Sequence, residues 1–243
     1  LIISDNANQT AYVYHVTNNV PINKNNKILE WTVIPFGQNY LGVPFDANSQ
    51  AFYSKMAQRE HQTVKGIKRW GEGAFPQAVV TRDDTVPPEF NDEEHYGKFI
   101  TFLEQVISED TTKFYGGRLT TIPRISGTPS DLTIEVSFDR NISFSGLSDY
   151  PLLINGLYQI GRARTIYHPD NILGNIPNLT EPPPIARHEY GHNAGYADFT
   201  DENFASIMNT LFSPIVTVND KFVGILTYSL VERPGNIPDD TNQ

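Results

Sequence analysis

Two periodicities alternate along the chain. Residues 11–16 (Ala-Tyr-Val-Tyr-His-Val) and 28–36 are rich in β-branched and aromatic types and predict strands, with the polar run 18–26 as the loop between them. Over residues 46–70 the apolar positions Ala51, Phe52, Met56, Val64 and Ile67 follow helical spacing, with Asp46 or Asn48 as a cap and Gly71 and Gly73 beyond the end. Residues 78–81 predict a short strand. Residues 91–108 form an amphipathic helix pattern: Asn91 is placed to cap it, Asp92, Glu93 and Glu94 suit its positive end, and Phe99, Phe102, Leu103, Val106 and Ile107 make one buried stripe. Residues 118–125 and 132–138 read as strands, the second alternating through Leu132, Ile134, Val136 and Phe138, and residues 152–167 are apolar enough for one or two more. Pro182, Pro183 and Pro184 stop any strand and allow a helix to start, which predicts a helix over 185–194. Residues 200–202 cap a short turn. Residues 219–232 fit either a hairpin turning at Asn219-Asp220 or a helix capped there ahead of Phe222, Val223, Leu226 and Leu230. Residues 234–243 read as a frayed tail.

The pattern shows no repeat, linker or low-complexity boundary, and 243 residues suit a single domain, 1–243, with a sizeable core. The content of 39% hydrophobic and 19% charged residues is that of a globular protein, and no apolar run approaches the roughly 18 residues of a membrane span. With 28 acidic against 18 basic residues the formal charge is −10, which argues against nucleic acid or an anionic membrane as partner. The absence of cysteine excludes disulfides, thiolate metal sites and a cysteine nucleophile. The start at Leu1 leaves a removed signal or pro-segment and a trimmed chain both open. The sequons at Asn8, Asn141 and Asn178 matter only in a eukaryotic secretory route.

The candidate chemistry lies in residues 188–198, His-Glu-Tyr-Gly-His-Asn-Ala-Gly-Tyr-Ala-Asp. Residues four apart on a helix share a face, so His188 and His192 can offer two imidazoles to one ion. Glu189 lies one step round, off the ion yet near enough to take a proton from a water held there. A catalytic zinc takes three protein ligands, and Asp198 is the natural third. Gly195 can adopt the left-handed conformation that ends a helix and turns the next residues back toward the metal. A chance match to all five fixed positions is on the order of one in ten thousand.

The stretch resembles the long zinc-binding motif of the metzincin metallopeptidases, with Asp198 in the place of the last histidine, a variant similar to that of snapalysin-type bacterial proteases. Residues 206–209, Ser-Ile-Met-Asn, are similar to the metzincin Met-turn, whose methionine packs beneath the metal-binding histidines. The resemblance covers residues 184–209 by motif and extends to about 233 by pattern. It implies an α+β, metzincin-like zincin: a twisted mixed sheet with backing helices above the active-site helix, an upper subdomain of about 1–195, and a small helical lower subdomain of about 196–233 with the substrate between them. It also favours the helix over the hairpin at 219–232.

The implied activity is that of a zinc endopeptidase with one Zn²⁺ held by His188, His192 and Asp198, and with Glu189 as general base and then acid toward the leaving amine. The expected partner is a peptide or protein substrate, bound by a monomer. The expected location is extracellular, since a broad peptidase is a hazard in the cytoplasm that makes it; the source is expected to be bacterial. A host-targeted toxin with one protein substrate shares this chemistry, whereas a non-catalytic binding module on the same fold would have no need of an intact Glu189. Tyr196 and Tyr228 are the candidates for an oxyanion donor, with core packing as the default for both. His15, His61, His95 and His168 lack partners at ligand spacing, and His168 is the best placed of them to support a ligand. Asp83-Asp84 and Asp92-Glu93-Glu94 carry the hard oxygens that calcium takes, though a solvated loop and a helix cap explain them equally well. If Asp198 is not the third ligand, Asp201 or Glu202 follows. The wall of the substrate pocket is expected near residues 210–218.

Overall fold

The computed structural model describes residues 2–5, 10–14, 31–35, 38–40, 43–45, 51–53, 60–61, 64–65, 68–70, 77–80, 85–115, 122–124, 133–154, 159–198, 205–209, 215–224 and 227–228. Expectations for 18–26, 83–84, 200–202 and 234–243 fall outside them, as do the side chains of His15 and His61.

The described elements are α+β in the coarse sense: a mixed, mainly parallel sheet with helices against it. Strands β1 (Ile2–Asp5), β2 (Thr10–Tyr14) and β3 (Trp31–Pro35) form an antiparallel sheet, and β4 (Gln38–Tyr40) with β5 (Val43–Phe45) and β6 (Glu60–His61) with β7 (Val64–Lys65) form two small antiparallel pairs. The six-stranded sheet is built from β8 (Arg69–Trp70), β9 (Gln77–Val80), β10 (Ile122–Arg124), β11 (Thr133–Phe138), β12 (Gly146–Ile154) and β13 (Gln159–Tyr167), in the order β10-β9-β11-β13-β12. β8 and β11 both run parallel to β13, β8 taking its first two residues and β11 Arg162 to Tyr167. Only β12 is antiparallel, and it ends that order.

The period-2 pattern sets which face is buried. Ile134, Val136 and Phe138 of β11 are buried opposite Ala163, Thr165 and Tyr167 of β13. The long helix, Lys98–Tyr115, packs on them. Its Phe99 meets Phe138 and Tyr167 edge-on at 5.5 and 5.4 Å, and Phe102, Leu103, Val106 and Ile107 are buried as the stripe requires. Each such side chain contributes about 1.5–3 kcal/mol of burial.

Two details correct the sequence reading of this helix. Asp92, not Asn91, caps it, accepting from the His95 backbone N–H at 2.8 Å ahead of a π-turn over Glu93–Gly97. It also runs on to Tyr115, because Phe114 and Tyr115 are wholly buried under the site helix described below.

The larger correction concerns residues 46–70. Residues 51–53 are helical, but Glu60–His61 pairs with Val64–Lys65, and Arg69–Trp70 joins the main sheet. Helical spacing of apolar residues was outweighed by tertiary contacts: Trp70 is fully buried, and its indole N–H donates to the Asn193 carbonyl at 2.8 Å. Residues 152–167 do form strands, though β12 starts six residues earlier than expected, at Gly146. A C-terminal helix spans Val218–Gly224, capped by Thr217 rather than by Asn219. Among the described residues no helix is long and apolar enough to cross a membrane.

Candidate metal centre

The site helix is Pro184–Asn193, with proline at its first turn, where a missing N–H costs nothing. Its first two turns are locked to the long helix. The Arg187 guanidinium pairs with Asp110 and Glu109, and the Tyr190 hydroxyl bonds Thr111 at 2.8 Å.

Its end is a Schellman closure. The Gly195 N–H donates to the His192 carbonyl at 2.9 Å and the Tyr196 N–H to the Gly191 carbonyl at 3.0 Å. Gly195 has φ +104°, and a Cβ there would lie 2.0 Å from the Lys68 backbone oxygen, so both backbone conformation and space demand glycine. This turn carries the chain to Asp198.

His188 Nε2 and His192 Nε2 lie 3.0 Å apart, and Asp198 Oδ1 lies 3.2 and 3.1 Å from them. Both rings are nearly buried, while Asp198 is largely exposed, so the cluster faces outward on its carboxylate side. Each ring is held from behind: His188 Nδ1 donates to the Ile207 carbonyl at 3.0 Å and His192 Nδ1 to the Tyr196 carbonyl at 2.9 Å. With Nδ1 donating, each ring turns Nε2 toward the cluster, where in its neutral form that nitrogen is an acceptor and a possible metal ligand. In that form two lone pairs and a carboxylate oxygen so close repel one another unless positive charge, a proton or a metal cation, lies among them. Three donors at about 2.0–2.2 Å from one zinc are spaced at about this separation. Of the described residues, these three are the one group of histidines and carboxylates able to hold a metal ion.

The ionisation of the side chains reflects the same demand for positive charge. Burial lowers the His188 pKa, but the Asp198 carboxylate and the Ile207 carbonyl outweigh it and the net direction is up. Asp198 is driven far below the usual carboxylate range by its hydrogen bonds with His188 and His192.

Glu189 is 2% exposed, and its Oε2 has no hydrogen-bond partner among the described residues. A buried carboxylate oxygen left so costs several kcal/mol on the order of magnitude of other desolvated polar groups, and such a group is expected where a ligand completes it. The carboxylate lies against the start of β12. A Cβ on Gly146 would fall 2.8 Å from both Cγ and Oε1 of Glu189, so glycine is what leaves the side chain room. The Glu189 carbonyl is also fixed, accepting from Asn193 Nδ2 at 3.0 Å and Ser148 Oγ at 3.2 Å, while Thr165 joins Ser148 and Asn193 in one buried network.

Residues 206–209 form a turn beneath the helix. Met208 is 1% exposed, and a Cβ on Gly191 would lie 2.4 Å from its sulfur, so methionine and site helix are in close contact.

The remaining candidates go elsewhere. Tyr196 donates its hydroxyl to the Phe114 and Asp220 carbonyls, and Tyr228 to that of Ala194 at 2.5 Å. Both hydroxyls are buried and serve packing. His95 bonds Asp92, the cap of its own helix. His168 precedes the helical turn Pro169–Ile172, with Nδ1 3.9 Å from Asp170, and backbone carbonyls take the supporting role expected of it.

The sequence reading missed both of those carbonyls, which leave no mark in side-chain identity. It also missed Gly146, Asn193, Ser148 and Asp220. No protein-family model matches the chain, and no curated protein does.

Proposed function

We propose that this chain is a zinc-dependent endopeptidase of metzincin type, using His188, His192 and Asp198 as ligands and Glu189 as general base. The observation that carries the reading is the convergence of His188 Nε2, His192 Nε2 and Asp198 Oδ1 within 3.2 Å, with both imidazoles pinned through Nδ1. The donor set of two imidazoles and one carboxylate suits zinc, which favours nitrogen and oxygen ligands in a four-coordinate arrangement with one open position. The packing of Met208 under Gly191 supports the Met-turn resemblance.

When bound, the ion supplies a Lewis acid that polarises a carbonyl and makes water more acidic. The chain's own groups account for the rest. Glu189 Oε2 accepts a proton from the attacking water and returns it to the leaving nitrogen. Asn193 and Ser148 fix the Glu189 backbone through its carbonyl, and Gly146 leaves the side chain its room beside β12. The Ile207 and Tyr196 carbonyls hold both rings with Nε2 facing the ion. β12 ends the order of the main sheet beside Glu189, and an extended peptide added along it would bring a scissile bond past the carboxylate.

Metal content of the purified chain, measured together with cleavage of casein and a diverse peptide library, tests the reading. One zinc per chain and chelator-sensitive cleavage are expected. Metal-free protein that remains active, or zinc-loaded protein inert to every peptide, sinks it.

A further inference from the structure

Asp220 is fully buried on the C-terminal helix, and nothing in the proposed chemistry uses it. Its carboxylate lies where three uncharged donors meet: the Ser206 hydroxyl, the Ile207 N–H at 3.0 Å and the Thr217 N–H at 2.8 Å. The Thr217 hydroxyl lies 2.9 Å from Oδ2 as well.

The Thr217 bonds are a helix cap and need only an acidic residue three positions into the helix. The other two are not. They cross fourteen and thirteen residues of chain to grip the turn at 206–209. Ser206 then accepts from the Met208 N–H at 3.0 Å, so one carboxylate sets the path of Ser206, Ile207 and Met208 together. The Ile207 carbonyl on that turn receives His188 Nδ1, and Met208 lies under Gly191.

A lone capping role explains neither bond to the turn. Burial opposes the charged form, and the three donors offset part of that cost. A leucine at this position would fill the space without it, so the carboxylate has a use beyond packing.

We infer that Asp220 is a positioning residue for the metal centre: by holding the 206–209 turn it fixes the Ile207 carbonyl that orients the His188 imidazole. This rests on the zinc reading above, and the test separates the two.

Parent, Asp220→Ala, Asp220→Asn and, as a stability control, Leu103→Ala are compared. Leu103 is buried on the long helix, three turns before the Phe114 that lies near Gly191. Zinc affinity is measured by chelator competition, the visible spectrum after loading with Co²⁺, and thermal unfolding of the metal-free proteins. Loss of a supporting contact behind a ligand typically costs about 10–100-fold in metal affinity, so Asp220→Ala is expected to bind zinc at least about tenfold more weakly with shifted Co²⁺ bands. Asparagine keeps an acceptor for the two N–H groups but turns its own N–H₂ toward Ser206, so Asp220→Asn should fold and show the same change at smaller size. Leu103→Ala should lose stability and keep the parent's affinity and spectrum.

Parental affinity and spectrum in folded Asp220→Ala, or in Asp220→Asn should the alanine variant not fold, overturn the inference while leaving the zinc reading intact. An equal loss in Leu103→Ala overturns it too, as a general consequence of destabilisation. A parent that binds neither Zn²⁺ nor Co²⁺ overturns both.

Discussion

Arg187 and His188 are neighbours on one helix and face two clusters of opposite kind. Around Arg187 every charge has its counter-charge: the guanidinium holds Asp110 and Glu109, and Lys113 also reaches Asp110 at 3.1 Å. Around His188 the neutral imidazoles and the Asp198 carboxylate offer one another only acceptors, and Glu189, whose Oε2 has no hydrogen-bond partner among the described residues, is near enough to help raise the His188 pKa. The first cluster is complete within the protein and joins two helices. The second becomes electrostatically balanced when positive charge is added to it, as a proton or a metal cation, and this difference, rather than the presence of charge, marks a site.

The sharpest way to break the comparison is to remove members of the second cluster. His188→Ala and His192→Ala are expected to abolish zinc binding and hydrolysis together, read by metal content and peptide cleavage. Glu189→Gln should keep one zinc per chain while hydrolysis falls by about 10²–10⁴-fold. Loss of metal in that variant would make Glu189 a ligand, and retained zinc in either histidine variant would move the ligand set elsewhere.

The first cluster should respond in the other currency, stability. Arg187→Ala leaves Asp110 buried with Lys113 as its remaining ion-pair partner among the described residues, and breaking a buried pair costs about 3–5 kcal/mol. Denaturant unfolding should show that loss, while zinc affinity of the remaining folded protein stays close to parental. A fall in metal affinity larger than the fall in folded fraction would mean that the two clusters are coupled.

Gly191 lies between them, and its effect is smaller. Alanine there would place a Cβ 2.4 Å from the Met208 sulfur and 3.1 Å from the Phe114 ring, an overpacking worth about 1–3 kcal/mol. The double variant Gly191→Ala/Met208→Ala should recover part of that loss, because the sulfur is the nearest obstacle. A strictly additive double variant would show that the contact is not what disfavours alanine.

How much of this could be seen in the sequence depended on the range of the interaction responsible. His188 and His192 at a four-residue spacing and Gly195 at the helix end are local features, and the convergence with Asp198 follows from helix geometry and one left-handed residue. The alternation of Ile134, Val136 and Phe138 was equally local. Trp70 was not: it enters the sheet because of a partner 123 positions away, which no helical spacing over 46–70 could reveal. Backbone acceptors such as the Ile207 and Tyr196 carbonyls carry no side-chain signature at all. Asp220 did leave a trace, since Thr217-x-x-Asp220 is a capping pattern, but its grip on Ser206 and Ile207 required the fold.

The smallest expected effect concerns pH, and it sets the two sides of the helix against each other in sign. Glu109 is held below its ordinary value of 4.5 mainly by its bond with Arg187, and a depressed carboxylate stabilises the fold above that value and loses the contribution as pH falls through the lowered pKa. Because Glu109 is substantially exposed, solvent screens this term and it should be slight. Asp220 is raised above its ordinary value of 3.8, chiefly by burial, so its contribution is fully present below 3.8 and is lost as pH rises through the raised pKa. Removing each group should therefore tilt the stability profile in opposite directions. Measured on metal-free protein, so that competition between protons and zinc for the ligands does not enter, Arg187→Ala should lose stability relative to the parent least at acid pH, where the parent has itself given up the Glu109 term. Asp220→Asn should compare best with the parent at higher pH, where the parent bears the cost of a buried charge that asparagine lacks. If Asp220→Asn instead falls further behind the parent as pH rises from 3.8, the donors from Ser206, Ile207 and Thr217 outweigh burial. The Asp220 carboxylate would then be as well compensated by neutral groups as Asp110 is by Arg187, and the contrast between the two sides would narrow to the metal cluster alone.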